Sequence, residues 1–485
     1  MICIPIIGRT EDEMLRQMAQ AAPLADALEL RMDYAAGANL ANLLQHRPRP
    51  VIVTHRPERE GGLYAGPEDQ RIALLQRAID LGAEYVDVEL DSAHMLRRRG
   101  DTRLIVSRHD FERTPENLEE LHRELVEAGA DIAKIACMAM DIRDNLRIFD
   151  LLRRAKLPTI ALCMGELGLI SRILGRKFGN FLTFASMGSG QESAPGQIGA
   201  ADLGNLYRYK KIGPATAVYG VIADPVAHSM SPAIHNAAFE ELGLDAVYLP
   251  LRVQGDPAAF VRDFQALDVQ GYSVTLPHKQ AIIAAMDEVD DVVRATGAMN
   301  TVVNRAGRFL GTNTDVPAAM LALEEALGGE GALRGKRVLV VGAGGAGRAV
   351  AWGLMRRGAD VAIANRTHPR AVELARELNC HCTPMEDIAG SNADALVNTT
   401  SVGMHPNVQE TPVPASVLRA GMLVFDAVYN PPETRLLREA RACGCRTVGG
   451  IAWFVHQAAL QFELWTGRPA PRDLMERVIR ARLGN

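Results

Sequence analysis

The chain has no basic stretch ahead of its first apolar run, MICIPIIGRTEDE, so residues 2–7 are expected to form a strand rather than a secretion signal. No apolar run approaches the length of a membrane span. A large excess of one sign of charge is absent: 53 Lys+Arg against 58 Asp+Glu leave a net charge of −5. That removes the electrostatic case for nucleic acid or an anionic membrane as a partner, and leaves small molecules held by local Arg and Lys. The seven cysteines (Cys3, Cys137, Cys163, Cys380, Cys382, Cys443 and Cys445) include no CxxC pair. The two CxC pairs are too tightly spaced for the usual zinc site, so no metal is expected, and reduced thiols in a cytoplasmic enzyme are. Internal repeats and low-complexity segments are also missing. A chain of 485 residues, 48% hydrophobic and 23% charged, is globular and too long for one ordinary domain.

The first half alternates short apolar strands with amphipathic stretches. Eight strand candidates occur: ICIPII (2–7), ALEL (27–30), VIVT (51–54), YVDVEL (85–90), LIVS (104–107), IAKIA (132–136), TIALC (159–163) and FLTFAS (181–186). Helical patterns such as 71–82 and 117–129 lie between them. Eight βα units in roughly 200 residues point to a small (β/α)8 barrel, one outer helix of which is expected to be reduced. Glu29, Arg31, Arg56, His109, Lys134 and Arg172 fall at or near the C-terminal ends of these strands, where a barrel builds its active site. Glu89 points the same way. Lys134 lies in an apolar strand. Burial there favours a neutral amine, which can attack a ketone and form an imine. His109 can move protons near neutral pH, Glu60 can orient it, and the arginines can clamp a carboxylate and hydroxyls.

Around 208–216 (RYKKIGPAT) the pattern breaks, and a short linker is expected there. Farther on, the strand RVLVV (337–341) runs into GAGGAG and a helical stretch, 348–358. Strand, glycine turn and helix are the context a dinucleotide fingerprint requires. The turn residues Gly342, Ala343, Gly344, Gly345, Ala346 and Gly347 are expected to receive a pyrophosphate at the helix N-terminus. At the end of the next strand stand Asn365, Arg366 and Thr367, with Arg370 behind them. No carboxylate is there to bind a ribose 2′-hydroxyl and two guanidiniums are, which favours NADP over NAD. Ahead of the glycine turn, Ser229, Ser231, Thr275, Asn300 and Asp315 supply short hydrogen-bonding side chains that suit a small polyhydroxylated ligand. Lys279 and Asp315 can form a proton-handling pair for a carbinol/carbonyl interconversion.

From about residue 217 to the end the chain resembles the shikimate dehydrogenase family. The matching stretches include HSMSP, VTLPHK, NTD, GAGGAG, NRT, NTTSVGM, DAVYNPPET and GGIAWFVHQAA. The resemblance implies that Ser229 and Ser231 hold the shikimate carboxylate. It further implies that Thr275, Asn300, Asp315 and Gln457 bind ring hydroxyls, with Tyr429 near the substrate. Lys279 and Asp315 would be the catalytic dyad, and Ala427 and Gly450 would lie near the nicotinamide. Ser273 departs from the Asn of many single-function members and is similar to the plant bifunctional ones. Residues 1 to about 205 resemble type I 3-dehydroquinate dehydratases through LELRMD, THRPEREGG, SRHDF, DIAKIA, MGELGLISR and SAPGQI. By that resemblance Lys134 forms the Schiff base, His109 is the general acid/base and Glu60 assists it. Glu29, Arg31, Arg56, Arg172, Ser193 and Gln197 would bind substrate.

The expected fold class is α/β: an N-terminal (β/α)8 barrel over 1–208, then a two-lobed α/β dehydrogenase. Its substrate-binding lobe is expected over 217–317, completed by 455–485, and its Rossmann-type NADP lobe over 318–454. The implied function is dehydration of 3-dehydroquinate to 3-dehydroshikimate, followed by NADPH-dependent reduction to shikimate. A ligand sensor without catalysis is expected to have lost Lys134, Lys279 or Asp315, and all three are present. An aldolase-like barrel is disfavoured because no phosphate-binding glycine loop stands near the last barrel strands.

Overall fold

The computed structural model describes every residue except Ser189 and Asn485. These residues form two compact units. The first is Met1–Val218 with Asp245–Gln254 and Asp263–Asp268; the second is Tyr219–Leu244, Gly255–Arg262 and Val269–Asn485.

The first unit is an eight-stranded parallel near-barrel. Its strands are β1 (Ile2–Ile6), β2 (Ala27–Arg31), β3 (Val51–Thr54), β4 (Tyr85–Glu89), β5 (Arg103–Asp110), β6 (Ile132–Met138), β7 (Thr159–Met164) and β8 (Thr183–Phe184). They lie side by side in the order β7-β6-β5-β4-β3-β2-β1-β8. Phe181 N donates to Thr159 O at 2.8 Å and brings the eighth segment back to β7. Nearly every strand residue is buried, as a sheet packed on both faces requires. Outer helices such as Glu11–Ala21, Glu68–Asp80 and Asp144–Arg154 cover the outside. The turn Ala93–Met95 is all that follows β4, which is the reduced outer helix the sequence led us to expect.

Two expectations need correction. The run 181–186 gives only a two-residue strand, Thr183–Phe184. The cause is Asn180, whose Oδ1 accepts from Ala161 N at 3.0 Å while its Nδ2 donates to Leu182 O at 2.8 Å. Its amide thus takes backbone groups a longer ladder would have paired. The segment 208–216 is no free linker. Tyr209 and Ile212 are buried, and Lys177 Nζ donates to Pro214 O and Thr216 O, both at 2.8 Å.

The second unit contains two sheets. In one, Val269–Val274 pairs antiparallel with Thr301–Arg305, which forms a hairpin with Arg308–Thr312. The other is fully parallel. Its six strands, taken in chain order from Arg337–Val341 to Arg446–Val448, are arranged 3-2-1-4-5-6, the doubly wound nucleotide-binding order. The helix Gly345–Arg356 starts directly after the first of them. Gly342 has φ 117°, and a Cβ there would lie 2.5 Å from Thr399 Oγ1. A Cβ on Gly347 would lie 2.1 Å from Gly342 O, so only glycine lets this helix pack on its strand.

That contact is testable. Gly347→Ala should lower the stability of the second unit by about 1–3 kcal/mol, the usual cost of forcing a methylene into a filled space. Thermal melts with probes in each unit should show the loss in the second unit alone. An unchanged melt would mean that the turn relaxes freely.

Two candidate active sites

The barrel mouth encloses a cavity of about 490 Å³. Its wall includes Glu29, Arg31, Arg56, Glu60, His109, Lys134, Arg172, Ser193 and Gln197; Glu89, also expected at the mouth, lies outside that lining, buried against Arg56. The twofold alternation of strands explains the grouping, since Glu29 and Arg31 on β2 share one face, as do Ser107 and His109 on β5. Glu60 arrives from the turn Glu58–Glu60 after β3. It accepts from His109 N and lies against His109 Nδ1, both through Oε2 at 2.9 Å. That assigns the ring proton to Nδ1 and leaves Nε2 free to act on a ligand. Burial pushes Glu60 up to about 7 and pushes His109 well down, so both groups favour their neutral forms.

Lys134 is 5% exposed, as expected. The burial argument for a neutral amine was incomplete, however. Its Nζ donates to Asp87 Oδ2 at 2.7 Å and lies 4.6 Å from the centroid of the Phe184 ring. Glu29 Oε1 is farther, at 3.9 Å. Asp87 also meets Arg56 Nη2 at 2.8 Å and accepts from Ser107 Oγ at 2.6 Å. Asp87 was not singled out in the sequence. It sits two residues before Glu89 on β4, so the same alternation would have found it. Arg172 is 1% exposed, its Nη2 donates to Pro195 O at 3.2 Å, and its Nε has no partner among the described residues. Burial lowers its pKa to about 10, which marks a guanidinium awaiting an anion. Ser193 and Gln197 bond to each other, with Gln197 Nε2 donating to Ser193 Oγ at 3.0 Å.

A second cleft lies within the second unit. Ser229, Ser231, Thr275, Lys279, Asn300, Asp315, Tyr429 and Gln457 line it, together with Ala346, Ala427 and Gly450. Lys279 Nζ donates to Asp315 Oδ2 at 2.6 Å, and Asn300 Nδ2 donates to Asp315 Oδ1 at 2.8 Å. Asp315 opens the helix Asp315–Leu327, where the helix dipole favours its charge. Ser231 opens another helix, Ser231–Glu241. Tyr429 packs on Phe454 with centroids 5.0 Å apart. Among the lining residues that the sequence reading did not single out as site residues are Ser273, Trp453 and Gln461. Ser273 Oγ donates to Gln461 Oε1 at 2.7 Å, and Trp453 Nε1 donates to the Asp315 carbonyl at 2.8 Å. These contacts join positions more than a hundred residues apart, which no local pattern reveals.

The remaining cofactor candidates lie outside that lining. Gly342–Gly347 form the turn above the parallel sheet, and Ala343 N donates to Asn365 Oδ1 at 3.3 Å. Asn365 Nδ2 donates to Thr367 O at 3.0 Å, and Arg366 and Arg370 are exposed beside it. No side chain caps the helix Gly345–Arg356, and a Cβ on Gly344 or Gly345 would meet nothing within 4 Å. Uncapped N–H groups over an open, side-chain-free turn fit a pyrophosphate.

Comparison with known proteins places each half of the chain in a known family. The family model for type I 3-dehydroquinase matches residues 2–214. The model for the shikimate dehydrogenase substrate binding domain matches 221–302, and that for shikimate / quinate 5-dehydrogenase matches 324–430. The model for the shikimate 5′-dehydrogenase C-terminal domain matches 454–480. The chain is 42% identical over 502 residues to the chloroplastic bifunctional 3-dehydroquinate dehydratase/shikimate dehydrogenase of Arabidopsis thaliana, covering 98% of this chain and 83% of the relative. It is 44% identical over 282 residues to the NADP(+) shikimate dehydrogenase of Moorella thermoacetica, covering 56% of this chain and 95% of the relative. Among solved structures, a shikimate dehydrogenase in complex with NADP+ is 37% identical with a TM-score of 0.54, covering 56% of this chain and 98% of its own. The Thermus thermophilus enzyme in complex with NADP(H) and shikimate is 37% identical with a TM-score of 0.51, covering 55% and 99%.

The Glu60–His109 pair yields a prediction with a definite sign. The carboxyl is raised to about 7, so it gains a proton as pH falls through neutrality and His109 loses its acceptor. Dehydration at the barrel mouth should therefore decline below about pH 7, and Glu60→Gln should be slow across that range and lack the decline. Carboxyl ¹³C NMR of the wild-type protein should find Glu60 titrating near 7. Titration at the ordinary carboxylate value would show that burial does not govern it.

Proposed function

The chain belongs to the family of bifunctional 3-dehydroquinate dehydratase/shikimate dehydrogenases, and from that premise we propose which of its residues carry each reaction. The first reaction removes water from 3-dehydroquinate. Lys134 Nζ attacks the ketone and forms an imine, which acidifies the neighbouring C–H. His109 Nε2 takes that proton and returns it to the departing hydroxyl, while Glu60 holds the ring by Nδ1. Arg172 binds the substrate carboxylate. Glu29, Arg31, Arg56, Ser193 and Gln197 bind and orient the hydroxylated ring. The observation that carries this reading is a single buried amine, Lys134, sharing one small cavity with an imidazole–carboxylate pair and a guanidinium lacking an anion.

The second reaction reduces 3-dehydroshikimate to shikimate. NADPH supplies the hydride when bound. Lys279 and Asp315 hold and deliver the proton that the new hydroxyl needs. Ser229 and Ser231, at a helix start, bind the carboxylate. Thr275, Asn300 and Gln457 bind ring hydroxyls, and Tyr429 flanks the ring. Ala427 and Gly450 border the nicotinamide position, the glycine turn binds pyrophosphate, and Asn365, Arg366, Thr367 and Arg370 face the ribose and its 2′-phosphate. We assign 1–208 to the dehydratase, 217–317 with 455–485 to the substrate lobe and 318–454 to the NADP lobe. All seven cysteines are free, including Cys137 and Cys163 with sulfurs 3.9 Å apart, which suits the reducing cytoplasm. No helix among the described residues is long and apolar enough to cross a membrane.

Two experiments test these roles. Borohydride added with 3-dehydroquinate should trap an adduct on Lys134, and Lys134→Ala should abolish adduct and dehydration while shikimate oxidation persists. An adduct mapped to another residue would remove Lys134 from the mechanism. Arg366→Ala should weaken NADP binding by about ten- to a hundredfold, the worth of one charge-assisted hydrogen bond, and leave NAD nearly unchanged. Michaelis constants for both cofactors decide it, since equal losses would mean that Arg366 does not read the phosphate.

A further inference from the structure

We propose that Asp87 is a further catalytic residue of the barrel: a buried carboxylate against the reacting nitrogen that keeps the imine protonated through the reaction. This rests on the Schiff-base reading of Lys134. Asp87 Oδ2 lies 2.7 Å from Lys134 Nζ, closer than any other acid among the described residues, and both side chains are almost wholly buried. The nearest alternative, Glu29, is 3.9 Å away and accepts from Thr54 Oγ1 at 2.8 Å. Asp87 cannot swing aside without loss. Its Oδ1 is held by Arg56 Nη2 at 2.8 Å and by Ser107 Oγ at 2.6 Å.

The chemistry requires a charge at that nitrogen in alternate steps. The amine bonds to the ketone carbon, the carbonyl oxygen leaves as water, and the nitrogen becomes a cationic iminium. When His109 removes the adjacent proton, the C–H electron pair moves into the C=N⁺ bond and gives a neutral enamine. The enamine then expels the hydroxyl, which takes the proton from His109 and leaves as water. The iminium is regenerated, and a further water releases the product and the amine. A neutral imine is a poor electron sink, so the first proton removal depends on keeping the nitrogen protonated in a nearly dry cavity. An anion fixed beside it does so without reorganisation. Asp87 does not act as the base. Arg56 and Lys134 outweigh its burial and hold its carboxyl far below the usual range, so it remains an anion throughout. The titratable and charged groups around this nitrogen, besides Asp87, are Glu29 and Arg31 from β2, Arg56 after β3, His109 from β5 and Arg172 from the helix Leu169–Leu174, with Cys3 of β1 buried nearby, while Glu89 is turned to Arg56 and Arg71. Glu60 stands behind His109. Among the described residues Asp87 is the one carboxylate within hydrogen-bond distance of the Lys134 nitrogen, Glu29 standing at 3.9 Å.

Cyanoborohydride, which reduces the protonated imine in preference to the neutral one, provides the test on the full chain. Wild type incubated with 3-dehydroquinate should be labelled on Lys134, read by peptide mass spectrometry, over a broad pH range. Asp87→Asn should still be labelled, but labelling should disappear at a lower pH, and dehydration should fall by roughly 10²-fold or more. Asp87→Glu should recover part of both, and shikimate oxidation should be untouched. An Asp87→Asn protein with the wild-type labelling profile and rate overturns the proposal while leaving Lys134 in place. Absence of label on wild-type Lys134 overturns the Schiff-base reading itself. Should the Asn variant fail to fold, ¹⁵N-lysine NMR of the wild-type adduct decides. A protonated-iminium shift across the folded pH range supports the proposal, and a neutral-imine shift at neutral pH overturns it.

Discussion

A chain of alternating buried charges fixes the barrel mouth. Arg71 pairs with Glu89, which also meets Arg56 Nη1 at 2.6 Å. Arg56 reaches Asp87 at 2.8 Å, and Asp87 reaches Lys134 at 2.7 Å. With Glu29 beyond Lys134, three cations face three anions in a space nearly without solvent. Each alone would carry a desolvation penalty of several kcal/mol, and deleting one partner of such a pair typically costs about 3–5 kcal/mol. The series therefore tolerates little change at any member. It also explains why Arg172 stands out: no carboxylate among the described residues lies within ion-pair distance of it. Among the described residues of this mouth, Arg172 is the buried guanidinium left without a paired carboxylate.

The second site solves a similar problem with weaker, more numerous contacts. Side-chain exposures of 29% for Lys279 and 17% for Asp315 leave this pair partly solvated, so less depends on exact neutrality. Position is controlled through hydrogen bonds. Asn300 holds one carboxylate oxygen of Asp315, Asn313 Oδ1 accepts from its backbone N at 2.9 Å, and Trp453 donates to its carbonyl. Trp453 also packs on Phe425, at 5.8 Å between ring centroids, in the strand Leu423–Asp426 of the parallel sheet. Asp315 is thereby held from the sheet that carries the glycine turn as well as by Asn300 and Asn313.

The parts of this molecule that repeat with a short period were legible in the sequence. Strand alternation located the barrel and the polar set at its mouth, and a strand–glycine–helix transition located the nucleotide turn. The lost parts depend on single side chains or on distant partners. Asn180 shortens β8 by inserting its amide into the ladder, and nothing in the composition of FLTFAS signals that. Tyr209 and Ile212 bury a segment whose Gly, Pro and charge read as a linker. Asp87 is readable from the alternation of YVDVEL once Lys134 is taken with a partner, because a buried charge implies a counter-charge at a neighbouring inward position.

On the roles proposed above, the two sites hold closely related carboxylates by different means. At the barrel the proposed donor is a buried full charge, Arg172, whose one protein acceptor among the described residues is a backbone carbonyl. At the dehydrogenase cleft the proposed donors are two neutral hydroxyls near a helix start, half-buried Ser229 and buried Ser231. A charged donor in a dry cavity binds an anion far more strongly than neutral donors facing solvent. Strong fixation suits a step in which a covalent imine must be aligned with His109, because a small displacement there misplaces the proton transfer. The reduction forms no covalent link to the protein, and its ligand must enter and leave with the cofactor cycle. A charged donor at the first site and neutral hydroxyls at the second thus fit the chemistry proposed for each.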